Sequence, residues 1–436
     1  MTISYDTLGG SISIEPSGAI RAGDLNQRVA IVGSADTANG AIGEGEAALV
    51  ASSTDATTQF GADSELQRQA ELSLANGASE VYGVAVSTTE QTESVTAASD
   101  GTLSISPICD PRFTTESVSV VDAGGDALTV EYTDSEPSVP SEDNTVVINP
   151  TTGAWAASSS GDYEFTVTEP SFSEPLAEAV NGTVRYVAVC SEAASVVSTL
   201  ATELSTKASN FRFSRGFVGV SEEVAPIDVG SYTPGVDDFR VIEVASSYGT
   251  TTNGDMARTC GAVAGLAAQQ PIDVTGSVTF DNLVGFASLA TSYTPSQAEQ
   301  FERVTAITDT MEIAEGVTTS SEAEFSDIYK AEIIDYAVEQ LYRRVKNYRG
   351  GSNARGSQRK FRSRLKRTLS SLSAPNAQPP LLADGEGGRP YTLDVGVGET
   401  DTETAVTIGI DPAPIAKQVN VNVSVGPLQF NGVETA

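Results

Sequence analysis

Residues 28–33, RVAIVG, run apolar without a break after the arginine, which predicts a strand buried on both faces. Downstream, FGADSELQRQAELSLANGASEVYGVAV (60–86) reads as helix, sharp stop, strand. Ser64 can cap the helix, with Gln67 at the capping-box position, and Leu66, Ala70 and Leu74 follow at i, i+4 spacing. Asn76-Gly77 ends it, and EVYGVAV begins three residues later. Strand, helix and strand in this order need a sheet with the helix packed upon it. The fold class expected is therefore α/β (mixed α+β). At 436 residues the chain is too long for one simple core and should be multi-domain.

After Ser87 the texture changes. Residues 87–183 hold 17 acids, one base (Arg112) and three leucines, in short alternating runs such as SVSVVD, ALTVEY, NTVVIN and YEFTVT. VDAGGDAL has the glycines a tight hairpin turn needs. The window predicts a small antiparallel β domain inserted into the α/β one, with a heavily solvated exterior. The α/β texture then returns. VRYVAVC (184–190) reads as a strand and 192–209 as a helix, with further strands in FRFSRGFVGV and FRVIEVAS. Residues 254–269, rich in small side chains, predict a closely packed helix, and Thr294-Pro295 opens another. Over 322–349 the apolar residues Ile328, Ala331, Ile334, Val338, Leu341, Val345 and Tyr348 step by three and four. Acids in the first turns and bases in the last suit the helix dipole. A basic helix is expected over 357–373. Alternating residues at the two chain ends predict β arms: Ser11, Ile12, Ser13 and Ile14 in the first, Val406, Ile408, Ile410, Val419, Val421, Val423 and Val425 in the second. Such isolated strands have unpaired edges unless another chain supplies the partner.

Charge narrows the function classes. The chain carries 58 acids against 25 bases, only six of them lysine, for a net charge of −33. Acid excess with lysine depletion suits a protein working in molar salt, where the Debye length falls to about 3 Å and only contacting charges interact. There is no histidine, which removes the commonest general base and the imidazole metal ligand. No phosphate-binding GxxxxGK[ST] loop occurs, GEGEA and GEGG lack dinucleotide spacing, and SEDN (141–144) lacks EF-hand spacing. Cys109, Cys190 and Cys260 form no CxxC pair and read as small core residues. MTISYDTLGG has no signal-peptide pattern, and no stretch is long enough for a membrane span, so a soluble product made without a Sec-type signal is expected. No catalytic residue, metal or cofactor is nominated.

The one unusual constellation is RRVKNYRGGSNARGSQRKFRSRLKR (343–367), with eleven bases and no acid. These are Arg343, Arg344, Lys346, Arg349, Arg355, Arg359, Lys360, Arg362, Arg364, Lys366 and Arg367. It can be a solvated loop, a nucleic-acid contact weakened by salt, or a contact for an acidic protein surface. The third reading is preferred, because arginine forks pair with carboxylates at contact.

RVAIVGSADTANG followed by residues 60–86 resembles the N-terminal pattern of contractile-tail sheath proteins of phages and related injection systems. The matching features are Val32-Gly33, Phe60-Gly61, Asn76-Gly77 and Tyr82. GAVAGLAAQ (261–269) is similar to that family's Val-Ala-Gly helix, and DPAPIAKQVNVNVSV (411–425) to its last turn and strand; the usual tryptophan and Ala-Pro-rich segment after the helix is missing over 270–295. The resemblance implies a sheath-type core with extended terminal arms, and a structural subunit, not an enzyme. It implies stacked hexameric rings around a tail tube, contracting to drive the tube through a host envelope for genome delivery. Joined to the acidity, it implies the virion tail of a haloarchaeal virus, assembled in the host cytoplasm. The implied partners are other copies of the chain, the tube protein, and the baseplate and tail-terminator proteins, with no direct nucleic acid and no membrane insertion. The expected division is an N-terminal arm (1–24), a discontinuous α/β sheath domain (25–86 and 184–293), the inserted outer β domain (87–183), a tube-facing domain (294–402) and a C-terminal β arm (403–436). Two alternatives stay open: the sheath of a cellular or extracellular injection system, and a soluble halophilic α/β enzyme.

Overall fold

The computed structural model describes residues 28–269 apart from 111, 114–117, 134, 222 and 223, and residues 278–348 apart from 280 and 324. It also describes 355–373, 390–397 and 404–410, with Leu382 and Pro412. The expected arm at 1–24 and the strand at 418–425 lie outside the described residues.

The chain opens with β1 (Arg28–Gly33), β2 (Ala47–Val50), α1 (Ser53–Phe60), α2 (Glu65–Ala75) and β3 (Glu80–Ala85). Five strands follow: β4 (Ser87–Thr102), β5 (Ser119–Asp122), β6 (Thr129–Tyr132), β7 (Thr145–Ile148) and β8 (Ala154–Ser171). Then come α3 (Ser173–Asn181), β9 (Tyr186–Val189), α4 (Ala194–Ser209), β10 (Arg215–Gly219) and β11 (Val241–Ala245). Shorter pieces follow in β12 (Tyr248–Thr251), β13 (Met256–Arg258), α5 (Cys260–Gln269), β14 (Phe286–Leu289), α6 (Pro295–Ala298) and β15 (Thr305–Ala306). The chain closes with α7 (Ile328–Tyr348), α8 (Arg355–Leu372), β16 (Tyr391–Val397) and β17 (Thr404–Ile410).

The central sheet has the order β15-β11-β10-β9-β1-β3-β2. Its pairs are parallel except β2 with β3. Helices cover both faces, which explains the unbroken apolar run in β1. Val29 and Ile31 pack with α1, α2 and α5, while Ala30 and Val32 pack with α3 and α4. β1 lies between β9 and β3, so the order reverses there, as in doubly wound sheets.

The motif residues have physical roles in this layer. Ser64 Oγ accepts a bond from the Gln67 amide at 3.1 Å and caps α2. The fully buried Phe60 ring lies on Gly83, where a Cβ would come within 2.3 Å of the ring. Helices α2 and α5 cross at Gly265, whose Cβ would stand 2.3 Å from the Ser73 carbonyl oxygen. Backbone cannot retreat as a flexible side chain can. Gly265→Ala is therefore expected to destabilise by about 1–3 kcal/mol through overpacking, read from the urea midpoint; an unchanged midpoint would show that the crossing is loose. All three cysteines are buried and none forms a disulfide.

The structure corrects several sequence expectations. Helix α5 begins at Cys260, not 254, because Met256–Arg258 pairs antiparallel with β12. Helix α7 begins at Ile328, not 322, because Asp327 Oδ1 accepts the amides of Tyr329 (2.9 Å) and Lys330 (3.2 Å) and starts the helix there. The acid-rich window forms a sheet of order β4-β8-β7-β6 with β5 also on β8, and it is not wholly antiparallel. β6 and β7 run parallel, joined by 133–144, a connection about long enough for such a crossover. That sheet ends at Ser171. Helix α3, inside the expected insertion, instead packs Leu176, Ala179 and Val180 against the central sheet. The boundary expected at 294 also moves, since Thr305–Ala306 completes the central sheet and the separate helical layer starts with α7.

Candidate assembly surfaces

Helix α7 is held from two sides. Ile333, Ala337 and Leu341 pack against Phe361, Leu365, Leu369 and Leu372 of α8. This explains why the expected stripe, which included Ala331 and Ile334 but not Ile333 or Ala337, covers only part of the buried surface. The opposite side of α7 presents Glu332 and Asp335, both buried, to three arginines at the N-terminal ends of parallel strands. Arg215 donates to Asp335 at 2.8 Å and approaches Glu332 at 3.5 Å. Arg240 lies 3.7 Å from Asp335, and Arg185 lies 3.9 Å from Glu332. Burial pulls Arg240 below its ordinary pKa, with Asp335 opposing. Burial acts on Arg185 in the same sense and is the largest single influence, but Glu332 together with Tyr186, Asp335 and Glu339 leaves the group above its ordinary value. Desolvated charges need partners in contact. These contacts fix the start of α7 on the sheet, and α7 in turn holds α8.

The basic tract is thereby presented to solvent. Arg355, Arg359, Lys360, Arg362, Arg364, Lys366 and Arg367 all lie on α8 and are exposed. Among the described residues no carboxylate pairs with any of them. Arg343 pairs with Glu339 at 2.6 Å, and Arg344 donates to Thr368 Oγ1 at 3.4 Å. Lys346 is half-buried near the end of α7, and Arg349 lies outside the described residues.

The strand candidates divide. Val406, Ile408 and Ile410 lie on β17, which pairs antiparallel with β16 in the register Val395↔Val406, Leu393↔Ile408 and Tyr391↔Ile410. All six pack toward α8. The expectation that this stretch lacks a local partner is corrected: a second strand 13 residues upstream supplies one, and α8 covers the hairpin's apolar face. Among the described residues each strand keeps one open edge. Ser11, Ile12, Ser13, Ile14, Val419, Val421, Val423 and Val425 lie outside the described residues.

At the opposite, C-terminal end of the central sheet the reversal point is filled. Arg258 makes a two-pronged bond to Glu192, at 2.6 and 3.1 Å, and pairs with Glu65. Burial pushes its guanidinium down to about 10, still charged at neutral pH. The Phe113 ring, from the acid-rich sheet region, stacks on it at 4.0 Å. A doubly wound sheet binds its ligand in this crevice; here side chains of the chain itself occupy it. Neither charged cluster was expected from the sequence. The available signal was an arginine heading successive apolar strands, in VRYVAV, SRGFVG and FRVIEV.

No family model matches the sequence, and no curated protein is significantly similar to it. Solved structures are similar in shape. The contracted helical sheath of the anti-feeding prophage matches with a TM-score of 0.55 and 11% identity, covering 97% of this chain and 99% of that one. The contracted PVC sheath, from an extracellular contractile injection system, matches with a TM-score of 0.56 and 10% identity over 97% and 98%. The sheath tail protein of Listeria innocua matches with a TM-score of 0.51 and 13% identity over 88% and 92%. The chain has the multi-domain α/β fold of contractile sheath proteins.

Proposed function

We propose that the protein is a structural subunit of a contractile sheath, polymerising as stacked hexameric rings around a tube and shortening to drive the tube through a host envelope. The observation that carries this reading is the likeness to sheath subunits over 97% of the chain, central sheet and helical layer together. Exposed bases of α8, Arg355 and Arg359 among them, grip an acidic tube. Strands from the chain ends complete neighbouring β16–β17 hairpins through their open edges, and main-chain bonds of this kind survive molar salt. Deleting 411–436 then abolishes polymers and leaves a folded monomer. The acid-rich sheet faces outward and is dispensable for assembly. Excising 87–171 behind a short linker tests this: an unfolded product would show that the cover over Arg258 belongs to the core.

The setting we favour is the tail of a haloarchaeal virus, assembled in the host cytoplasm and completed by baseplate and terminator proteins, because the charge balance suits molar salt. Likeness to the anti-feeding prophage and PVC sheaths equally favours an injection system without a genome. Particles carrying a capsid would decide for the virus. An enzyme is disfavoured by the filled crevice. Electron microscopy of the purified protein in molar KCl tests the reading: rings or tubes are expected, and a uniform monomer would count against it.

A further inference from the structure

The seven bases of α8 do not form one patch. At about 100° per residue, Arg355, Arg359, Arg362 and Lys366 fall on one side of the buried stripe of Phe361, Leu365, Leu369 and Leu372. Lys360, Arg364 and Arg367 fall on the other. The first set runs beside the hairpin, where Arg362 donates to the Leu393 carbonyl at 3.2 Å. Of the second set, Arg364 and Arg367 border a groove of about 420 Å³ between α7 and α8. Its walls include Gln340 and Arg344 from α7, and Arg364, Arg367, Thr368 and Leu372 from α8.

Among the described residues the groove lining is rich in donors and holds no carboxylate. Arg364 and Arg367 have no ion-pair partner among the described residues, and Arg344 reaches only the Thr368 hydroxyl. That hydroxyl in turn donates to the Arg364 carbonyl at 3.3 Å. Three guanidiniums around one groove repel each other until an anion enters, and a carboxylate can satisfy a guanidinium fork with two bonds.

Net charge indicates where the carboxylates come from. Two copies of a chain at −33 repel unless bases of one meet acids of the other. Outside 343–367 most of the described bases are spent within the fold. Arg185, Arg215, Arg240 and Arg258 are buried in ion pairs, while Arg28, Arg112 and Arg303 are paired with Glu80, Asp110 and Asp237. Among the described residues, the cations left for self-association therefore lie mainly on α7 and α8.

We propose that the α7–α8 groove is a contact between copies, receiving carboxylate side chains of a neighbouring subunit on Arg344, Arg364 and Arg367. Arg355, Arg359, Arg362 and Lys366 are then left for the tube. The inference rests on the sheath reading and divides the basic tract between two partners. Paired reversals test it, scored by sedimentation and electron microscopy of the full chain. Arg364→Glu/Arg367→Glu should sediment as a folded monomer, with polymer reduced at least roughly tenfold, the loss expected when two contacting charge pairs per interface become repulsive. Arg355→Glu/Arg359→Glu should polymerise as the wild type does. Normal polymerisation of the groove variant overturns the proposal, whether or not its polymers still surround tubes. If the glutamates unfold the chain, Arg364→Ala/Arg367→Ala is judged by the same criterion. A wild type that forms neither rings nor tubes overturns the sheath reading itself, and this contact with it.

Discussion

Replacing Asp335 with alanine is expected to destabilise the protein by about 3–5 kcal/mol, the usual cost of removing one partner from a buried ion pair. Asp335 holds both Arg215, whose side chain is 1% exposed, and Arg240. Its loss leaves the buried Arg215 with Glu332 at 3.5 Å as its nearest carboxylate, and takes from Arg240 the carboxylate that lies 3.7 Å away. Glu339→Ala on the same helix removes a pairing to the exposed Arg343 and a minor attraction to Arg185, and should cost no more than about 1 kcal/mol. Urea unfolding of the two variants side by side separates a buried tether from general helix weakening. Equal midpoints would mean that α7 is held by its apolar contacts with α8 alone. Because α7 carries α8, the alanine variant should also loosen the basic surface, and protease cleavage within α8 would report this before global unfolding.

The second large effect is on docking. Arg355→Glu/Arg359→Glu is expected to leave ring and tube formation by the chain unchanged and to abolish decoration of the tube protein of the same particle. These side chains are exposed and pair with no carboxylate among the described residues, so reversing them should cost little stability. Single exposed pairs contribute about 0–1 kcal/mol each. Grip therefore depends on many copies acting together, and two reversals per subunit are repeated throughout the sheath. Cosedimentation with preformed tubes measures the effect. Decoration by the variant at wild-type levels would remove this stripe from the tube interface.

Much of the central layer was legible because local pattern and tertiary role coincide there. The run in β1 is apolar on both faces because helices lie on both, and Ser64 and Asn76 mark the ends of α2 in the sequence as in the structure. Partners far along the chain were not legible. Alternation in TVEY and TVVI indicates strands but not their relative direction, so the parallel pairing of β6 with β7 was hidden. Residues 254–258 carry no strong strand signal; pairing with β12 makes them a strand. The C-terminal arm looks solitary in the sequence because alternation cannot reveal that β16 lies beside β17. Nothing in the sequence distinguishes Glu332 and Asp335 from the solvated face of an amphipathic helix. Only the fold shows that the three arginines heading β9, β10 and β11 converge on them. The basic tract stood out as a charge anomaly, but its division into two stripes required the position of α7.

The most direct measurement is a helical reconstruction of the protein assembled around its tube. It should show α8 on the inner wall with Arg355 and Arg359 toward the tube, β16–β17 extended by strands of neighbouring copies, and the β4–β8 sheet at the largest radius. A reconstruction with α8 on the outside, or with the β4–β8 sheet against the tube, would contradict this arrangement.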